Sequence, residues 1–149
     1  MKNFLLKLFA YFFKEPTPLP IPEPPKMAQP QPKIETMQEM VLRVCKEKKL
    51  TKQQTNDVYN TIRCESQFKN TAVNQNKLNG KVLSTDYGIC QINDYYHIGV
   101  GKSFPSVDFV KQNPDKVVAW MCDMAKAGKL KLWVCYSKNL FKKGYVEVV

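Results

Sequence analysis

Two carboxylates in this chain, Glu65 and Asp86, sit in surroundings of opposite kind. Glu65 stands in Cys64-Glu65-Ser66-Gln67-Phe68, at the end of a run that carries Val58 and Ile62 at helical spacing. Asp86 stands in STDYGICQIN, residues 84–93, between hydroxyls at Ser84 and Thr85 and the pair Tyr87-Gly88, with amides following at Gln91 and Asn93. A carboxyl held against apolar neighbours has its pKa raised and can donate a proton; one among hydroxyls and amides stays ionised. Breaking a glycosidic bond needs this split. One group protonates the leaving oxygen, and the other steadies or attacks the cationic sugar carbon.

Such a pair is useful only if the surrounding elements bring it together. Thr36-Met-Gln-Glu39 reads as a capping box, and Met37, Met40, Val41, Val44 and Cys45 follow at helical spacing. Thr51-Lys-Gln-Gln54 is a second capping box, and the helix it starts carries Glu65 near its end. Between Ala72 and Asn93 the helical period is lost, and Asn79-Gly80 is a strong hairpin signal, so a small antiparallel sheet is expected there. Asn113-Pro114-Asp115 supplies a cap, a first-turn proline and a first-turn acid, and the helix it opens should stop at Gly128. A last helix is expected over Leu130–Tyr136. Two helices, a small sheet and further helices make an α+β domain over residues 34–149. A helix end and a strand joined by a short loop can face each other across a groove, which is where Glu65 and Asp86 would meet.

Two different segments precede that domain. Residues 1–14, MKNFLLKLFAYFFK, are apolar with lysines at 2, 7 and 14. The apolar stretch spans roughly 15 Å as a helix, about half a bilayer core, so an interfacial anchor or a signal-like segment fits better than a membrane span. Residues 15–33 hold eight of the ten prolines. Prolines at alternate positions exclude helix and sheet and favour an extended polyproline II spacer. P-x-x-P occurs in it, but basic flanks suited to a proline-binding module are sparse.

The formal net charge of +10 favours an anionic partner: nucleic acid, anionic lipid or an acidic polymer such as a bacterial cell wall. No nucleic-acid motif accompanies it, and no nucleic-acid partner is expected. Five cysteines, at 45, 64, 90, 122 and 135, contain no C-x-x-C, which argues against a zinc site. Two disulfides with one thiol would fit an oxidising compartment, and five buried thiols a reducing one. His97 is the only histidine, and no acid–nucleophile pattern around it supports a thiol protease built on Cys64 or Cys90.

The residues CESQF, AVNQN, Asn79-Gly80 and STDYGICQIN together resemble the lysozyme-like superfamily: animal-type lysozymes and the small lytic transglycosylases of bacterial secretion and conjugation systems. The resemblance covers residues 55–96 well and reaches weakly to about 137. It implies a lysozyme-like fold, with helices around a small sheet and a sugar-binding groove. It implies Glu65 as general acid and Asp86 as nucleophile or electrostatic stabiliser, lysozyme being the type case of such a pair. It places Ser84, Tyr87, Gln91 and Asn93 along the groove, Tyr95 and Tyr96 where aromatics stack on sugars, and Trp133 beside the acid. If the groove forms in that way, Cys64 and Cys135 approach each other and a bridge between them is expected.

The activity implied is cleavage of the β-1,4 bond between N-acetylmuramic acid and N-acetylglucosamine in peptidoglycan, without metal or organic cofactor. The chain departs from the family by lacking the eight-cysteine framework of animal lysozymes and by a longer hairpin between the two acids. An extracytoplasmic location follows, in periplasm or cell envelope, tethered through residues 1–14 and working in a wall-spanning secretion machine, or else in a virion or phage lysis system. A non-catalytic module of the same fold, recruiting partners at the wall, is the alternative; the presence of both acids disfavours it.

Overall fold

The computed structural model describes residues 33–149, of which Ile34–Val149 form one compact unit. The expectations for the apolar N-terminus and for the proline spacer up to residue 32 lie outside the described residues. Among the described residues no helix is long and apolar enough to cross a membrane.

Both capping boxes form. In the first, Thr36 Oγ1 accepts from the Glu39 amide at 3.2 Å while Glu39 Oε2 accepts from the Thr36 amide at 2.9 Å. The second repeats this between Thr51 and Gln54. They open α1, Met37–Glu47, and α2, Lys52–Ser66. On α1 the residues Met40, Val41, Val44 and Cys45 are buried as their spacing requires, and Met37 in the first turn stays exposed. Helix α2 stops because Gln67 and Phe68 both adopt left-handed backbone angles, which turns the chain out of the helix one residue after Ser66.

The sheet that follows has the order β1-β2-β3, with β1 Val73–Leu78, β2 Lys81–Tyr87 and β3 Ile92–Asn93, all antiparallel. Asn79 and Gly80 take φ of 50° and 79°, the positive pair that a two-residue hairpin turn of matching twist requires. The register puts Asp86 on the central strand, between Asn74 of β1 and Asn93 of β3. Gly88 then turns the chain toward β3 at φ +73°; a Cβ there would lie 3.2 Å from Val110 Cγ1. Gly88→Ala is therefore expected to cost about 1–2 kcal/mol, from the left-handed backbone and the crowding together. Chemical denaturation of the two proteins side by side measures it.

Two short helices, α3 Asp94–His97 and α4 Val107–Gln112, lie where the sequence showed no helical period. Helix α5, Pro114–Lys126, starts and stops where expected, with Gly128 at φ +69° beyond its end. Asn113 is its cap by position only. Its side-chain nitrogen donates back to the Phe109 carbonyl at 2.9 Å, which closes α4 instead. The expected helix over Leu130–Tyr136 is broken. A 3₁₀ turn at Leu130–Leu132 is followed by an extended Trp133, φ −89° and ψ 133°, and then by α6, Val134–Ser137. The break lets the Trp133 indole enter the core and donate to the Cys90 carbonyl at 2.7 Å. A second 3₁₀ turn, Leu140–Lys142, carries Phe141 into the core, stacked on Tyr136.

The core lies between α1, α2 and α5, around Val41, Val58, Ile62, Val118 and Met121, and extends under the sheet through Ile89 and Ile92. The cysteines match neither expected tally. Cys64 and Cys135 are bonded to each other, and Cys45, Cys90 and Cys122 are buried thiols. The C-terminal tail is held by two buried amides of α2. Asn60 both donates to and accepts from the Val146 backbone, and Asn56 accepts from the Val148 amide.

Candidate active site

A cleft of about 510 Å³ runs between the helices and the sheet, and both carboxylates line it. The helical side contributes Glu65, at the end of α2, and the segment Leu132-Trp133-Val134. The sheet contributes Asn76, Ser84, Asp86 and Asn93, and the turn after β3 contributes Tyr96 and His97.

Glu65 is fixed from two directions. The next residue, Ser66, donates its hydroxyl to the Ile89 carbonyl at 2.6 Å, which pins the end of α2 to the loop after β2. Glu65 Oε1 accepts the backbone amide of Cys135 at 2.9 Å, and the neighbouring Cys64 is covalently joined to that same Cys135. Acid, disulfide and hydrogen-bond donor thus form one short circuit between α2 and α6. Burial raises the Glu65 pKa above the ordinary carboxylate value, the Cys135 amide lowers it in part, and the charge of Asp86 raises it further. Glu65 therefore keeps its proton to higher pH than an exposed glutamate.

Asp86 sits in the opposite environment. Asn93 Nδ2 donates to one carboxylate oxygen at 2.7 Å and Asn76 Nδ2 to the other at 3.0 Å. The same two amides also donate to Ser84 Oγ, at 3.1 Å from Asn76 and 2.9 Å from Asn93. Ser84 and Asp86 are two residues apart on β2 and so share one face of the strand. Asn93 also caps α3, its Oδ1 accepting the Tyr96 amide at 3.3 Å. These bonds leave Asn93 holding Asp86 in place. Gln91 lines the cleft too, but its side-chain nitrogen donates to the Gly88 carbonyl at 2.9 Å and shapes the loop.

The aromatics divide. Tyr96 is in the cleft lining and largely exposed, while Trp133 lines the cleft and is buried. Tyr87 lies outside the cleft: it points to the other side of β2 from Asp86, packs on the core and lies under the Lys111 ammonium. Tyr95 also lies outside it, exposed and edge-on to Tyr96. The lining also includes Asn76, Ile92, His97, Trp120, Leu132 and Val134, which were not among the expected site residues. Asn76 had no sufficient signal: a hairpin centred on Asn79-Gly80 would alone pair it with Leu83, and a shift of register between Asn76 and Lys77 brings it opposite Ser84 instead. His97 and Trp120 had none, because they meet edge-on at 5.0 Å only through the tertiary packing of α3 on α5.

The raised pKa of Glu65 has a consequence for stability. Between the unfolded and folded pKa values the native state holds a proton that the unfolded chain has released. Stability is then fully present below the unfolded pKa and falls as pH rises through the folded one. Glu65→Gln keeps the Oε1 acceptor for Cys135 and removes that slope. The variant is expected to melt a few degrees above the parent at neutral pH and level with it in acid, below the carboxylate range. Melting curves at the two pH values check this.

No family model matches the chain, and no curated protein matches it. Among solved structures it is similar to a lysozyme from the shrimp Litopenaeus vannamei, at 23% identity and a TM-score of 0.47, over 70% of this chain and 86% of that one. The chemistry of the cleft has to stand on its own residues.

Proposed function

We propose that the protein is a glycosidase that cleaves the β-1,4 bond between N-acetylmuramic acid and N-acetylglucosamine in peptidoglycan. The observation that carries this reading is the pair itself: a half-buried carboxyl with a raised pKa and an amide-held carboxylate lining one cleft. A glycan strand laid along the cleft meets Glu65 at the bridging oxygen. Glu65 gives its proton to that oxygen, the bond to the sugar carbon breaks, and positive charge develops on the ring. Asp86, fixed by Asn76 and Asn93, faces that charge. Water then adds to the sugar carbon, as in a lysozyme, or the muramic 6-hydroxyl closes on it to leave an anhydro ring, as in a lytic transglycosylase. Tyr96 at the rim offers a ring face to a sugar.

The setting proposed for this activity is the cell envelope. The net charge of +10 suits an anionic wall, and an apolar segment followed by a proline-rich spacer suits a tethered enzyme reaching into a mesh.

The test is release of soluble fragments from dye-labelled, purified peptidoglycan by the full chain over a range of pH. Release should be greatest in mild acid and decline as pH rises through the raised pKa of Glu65, because only the protonated form can act as the acid. Retention of the protein on the pelleted wall with no release at any pH would point instead to a binding module.

A further inference from the structure

Three thiols remain once the bridge beside the active site is formed, and two of them touch. Cys45 on α1 and Cys122 on α5 have their sulfur atoms 3.7 Å apart, and both residues are fully buried. The contact is built from both flanks. Lys48, at the end of α1, pairs with Asp123, the residue after Cys122, at 2.7 Å. The Leu50 amide donates to the Cys45 carbonyl at 3.1 Å and draws the chain back over the end of α1. Two thiols that meet in van der Waals contact across a helix–helix interface are one short movement from bond length.

We propose that Cys45 and Cys122 are a second disulfide site, closed when the protein matures in an oxidising compartment. The inference rests on packing alone and is independent of the proposed activity. The Cys64–Cys135 bridge already places the chain among proteins that fold where thiols are oxidised. Closing the second bridge turns the five cysteines into two disulfides and one thiol, Cys90. The oxidant is itself a disulfide, small or carried by an oxidoreductase. The thiolate of one cysteine attacks it and forms a mixed disulfide, and the other cysteine displaces the leaving thiol. Two electrons and the two thiol protons pass to the oxidant, which leaves as two thiols if small and as a dithiol if carried by an oxidoreductase.

The fold also sets when this happens. Contact with Cys45 and burial hold the Cys122 thiol far above its ordinary pKa, and full burial of both cysteines leaves no route for an oxidant in the native protein. The bridge therefore forms while α1 docks on α5, and protein folded without oxidant keeps both thiols. Once closed, the bridge ties α1 to α5, as Cys64–Cys135 ties α2 to α6. Two separately purified forms of one sequence follow, and they differ in stability according to the compartment of synthesis.

The experiment refolds the full chain in a mixture of reduced and oxidised glutathione, quenches in acid, and alkylates in denaturant. Peptide mapping without reductant should find Cys45 joined to Cys122, Cys64 joined to Cys135, and Cys90 alone alkylated. The chain should be lighter by four hydrogens than its fully reduced form. A Cys90→Ala variant should give the same two bridges, and the doubly bridged form should melt roughly 10 °C above a Cys45→Ala/Cys122→Ala variant. The Cys64–Cys135 bridge is the internal control. If it forms while Cys45, Cys90 and Cys122 are all alkylated, the proposal fails. It fails equally if Cys122 is found paired with Cys90.

Discussion

Replacing Glu65 by glutamine is expected to lower turnover of peptidoglycan by about 10²- to 10⁴-fold, the range a positioned general acid contributes. The exchange is close to isosteric. The glutamine side chain would keep an oxygen to accept the Cys135 amide, so α2 and α6 stay docked and affinity for the wall is preserved. What is lost is the proton. A carboxamide cannot protonate a leaving oxygen, and among the described residues lining the cleft the other carboxyl is Asp86, whose two oxygens both accept from amides. The loss should therefore fall on kcat with little change in KM. Turnover by the variant within a few-fold of the parent would remove Glu65 from the chemistry. The same variant is expected to gain stability at neutral pH. Opposite signs for activity and stability at one position mark a group held in an unfavourable environment for its chemistry.

The second large effect concerns the bridge beside the acid. Cys64–Cys135 closes a loop between residues 71 apart in sequence, for which chain entropy gives a stabilisation of about 4 kcal/mol. Cys64→Ala/Cys135→Ala should lower the melting temperature by on the order of 10 °C. Turnover should also fall, roughly 10- to 100-fold, because the bridge holds the Cys135 amide against Glu65 and α6 is only four residues long. Trp133, bonded to the Cys90 carbonyl, and Tyr136, stacked on Phe141, keep α6 near its place, so the variant remains folded at low temperature. Melting curves and turnover measured below the transition separate the two losses. A variant that melts lower yet turns over peptidoglycan at the parental rate would show that the bridge stabilises without positioning the acid.

What the sequence made legible were features with a local cause. A capping box needs four residues, and both formed. The Asn79-Gly80 turn needs two residues able to hold positive φ, and it sets the pairing of Leu78 with Lys81 and Lys77 with Val82; the shift of register that then brings Asn76 opposite Ser84 has no such local cause. The paired carboxylates were visible because one ended a helix with Val58 and Ile62 on its inner face and the other lay among hydroxyls and amides. Strand alternation also bears on Tyr87. Side chains one residue apart point to opposite faces, so a cleft-facing Asp86 turns Tyr87 away from it.

The rest depended on contacts made at a distance. The break at Trp133 has no proline or glycine to announce it; the helix gives way because the indole finds a buried carbonyl 43 residues earlier. Helices α3 and α4, of four and six residues, are too short to show a period, and their caps, Asn93 and Ser106, are residues equally at home in loops. Asn113 occupied the right position for a cap, yet the Phe109 carbonyl took its amide nitrogen. The Cys64–Cys135 bridge was expected from the family resemblance and is present, whereas the state of the other three cysteines depends on which helices pack together, which spacing along the chain does not encode.

If the cleft cuts between two sugars, as proposed, its products identify the bond. The most direct measurement digests purified peptidoglycan with the full chain and weighs every soluble product by mass spectrometry. The parent protein should yield disaccharide-peptide fragments ending in muramic acid, either with a free reducing end or as the anhydro form lighter by one water, and Glu65→Gln should yield none. Fragments ending in N-acetylglucosamine, free stem peptides with the glycan intact, or equal release by Glu65→Gln would contradict the proposed cleavage.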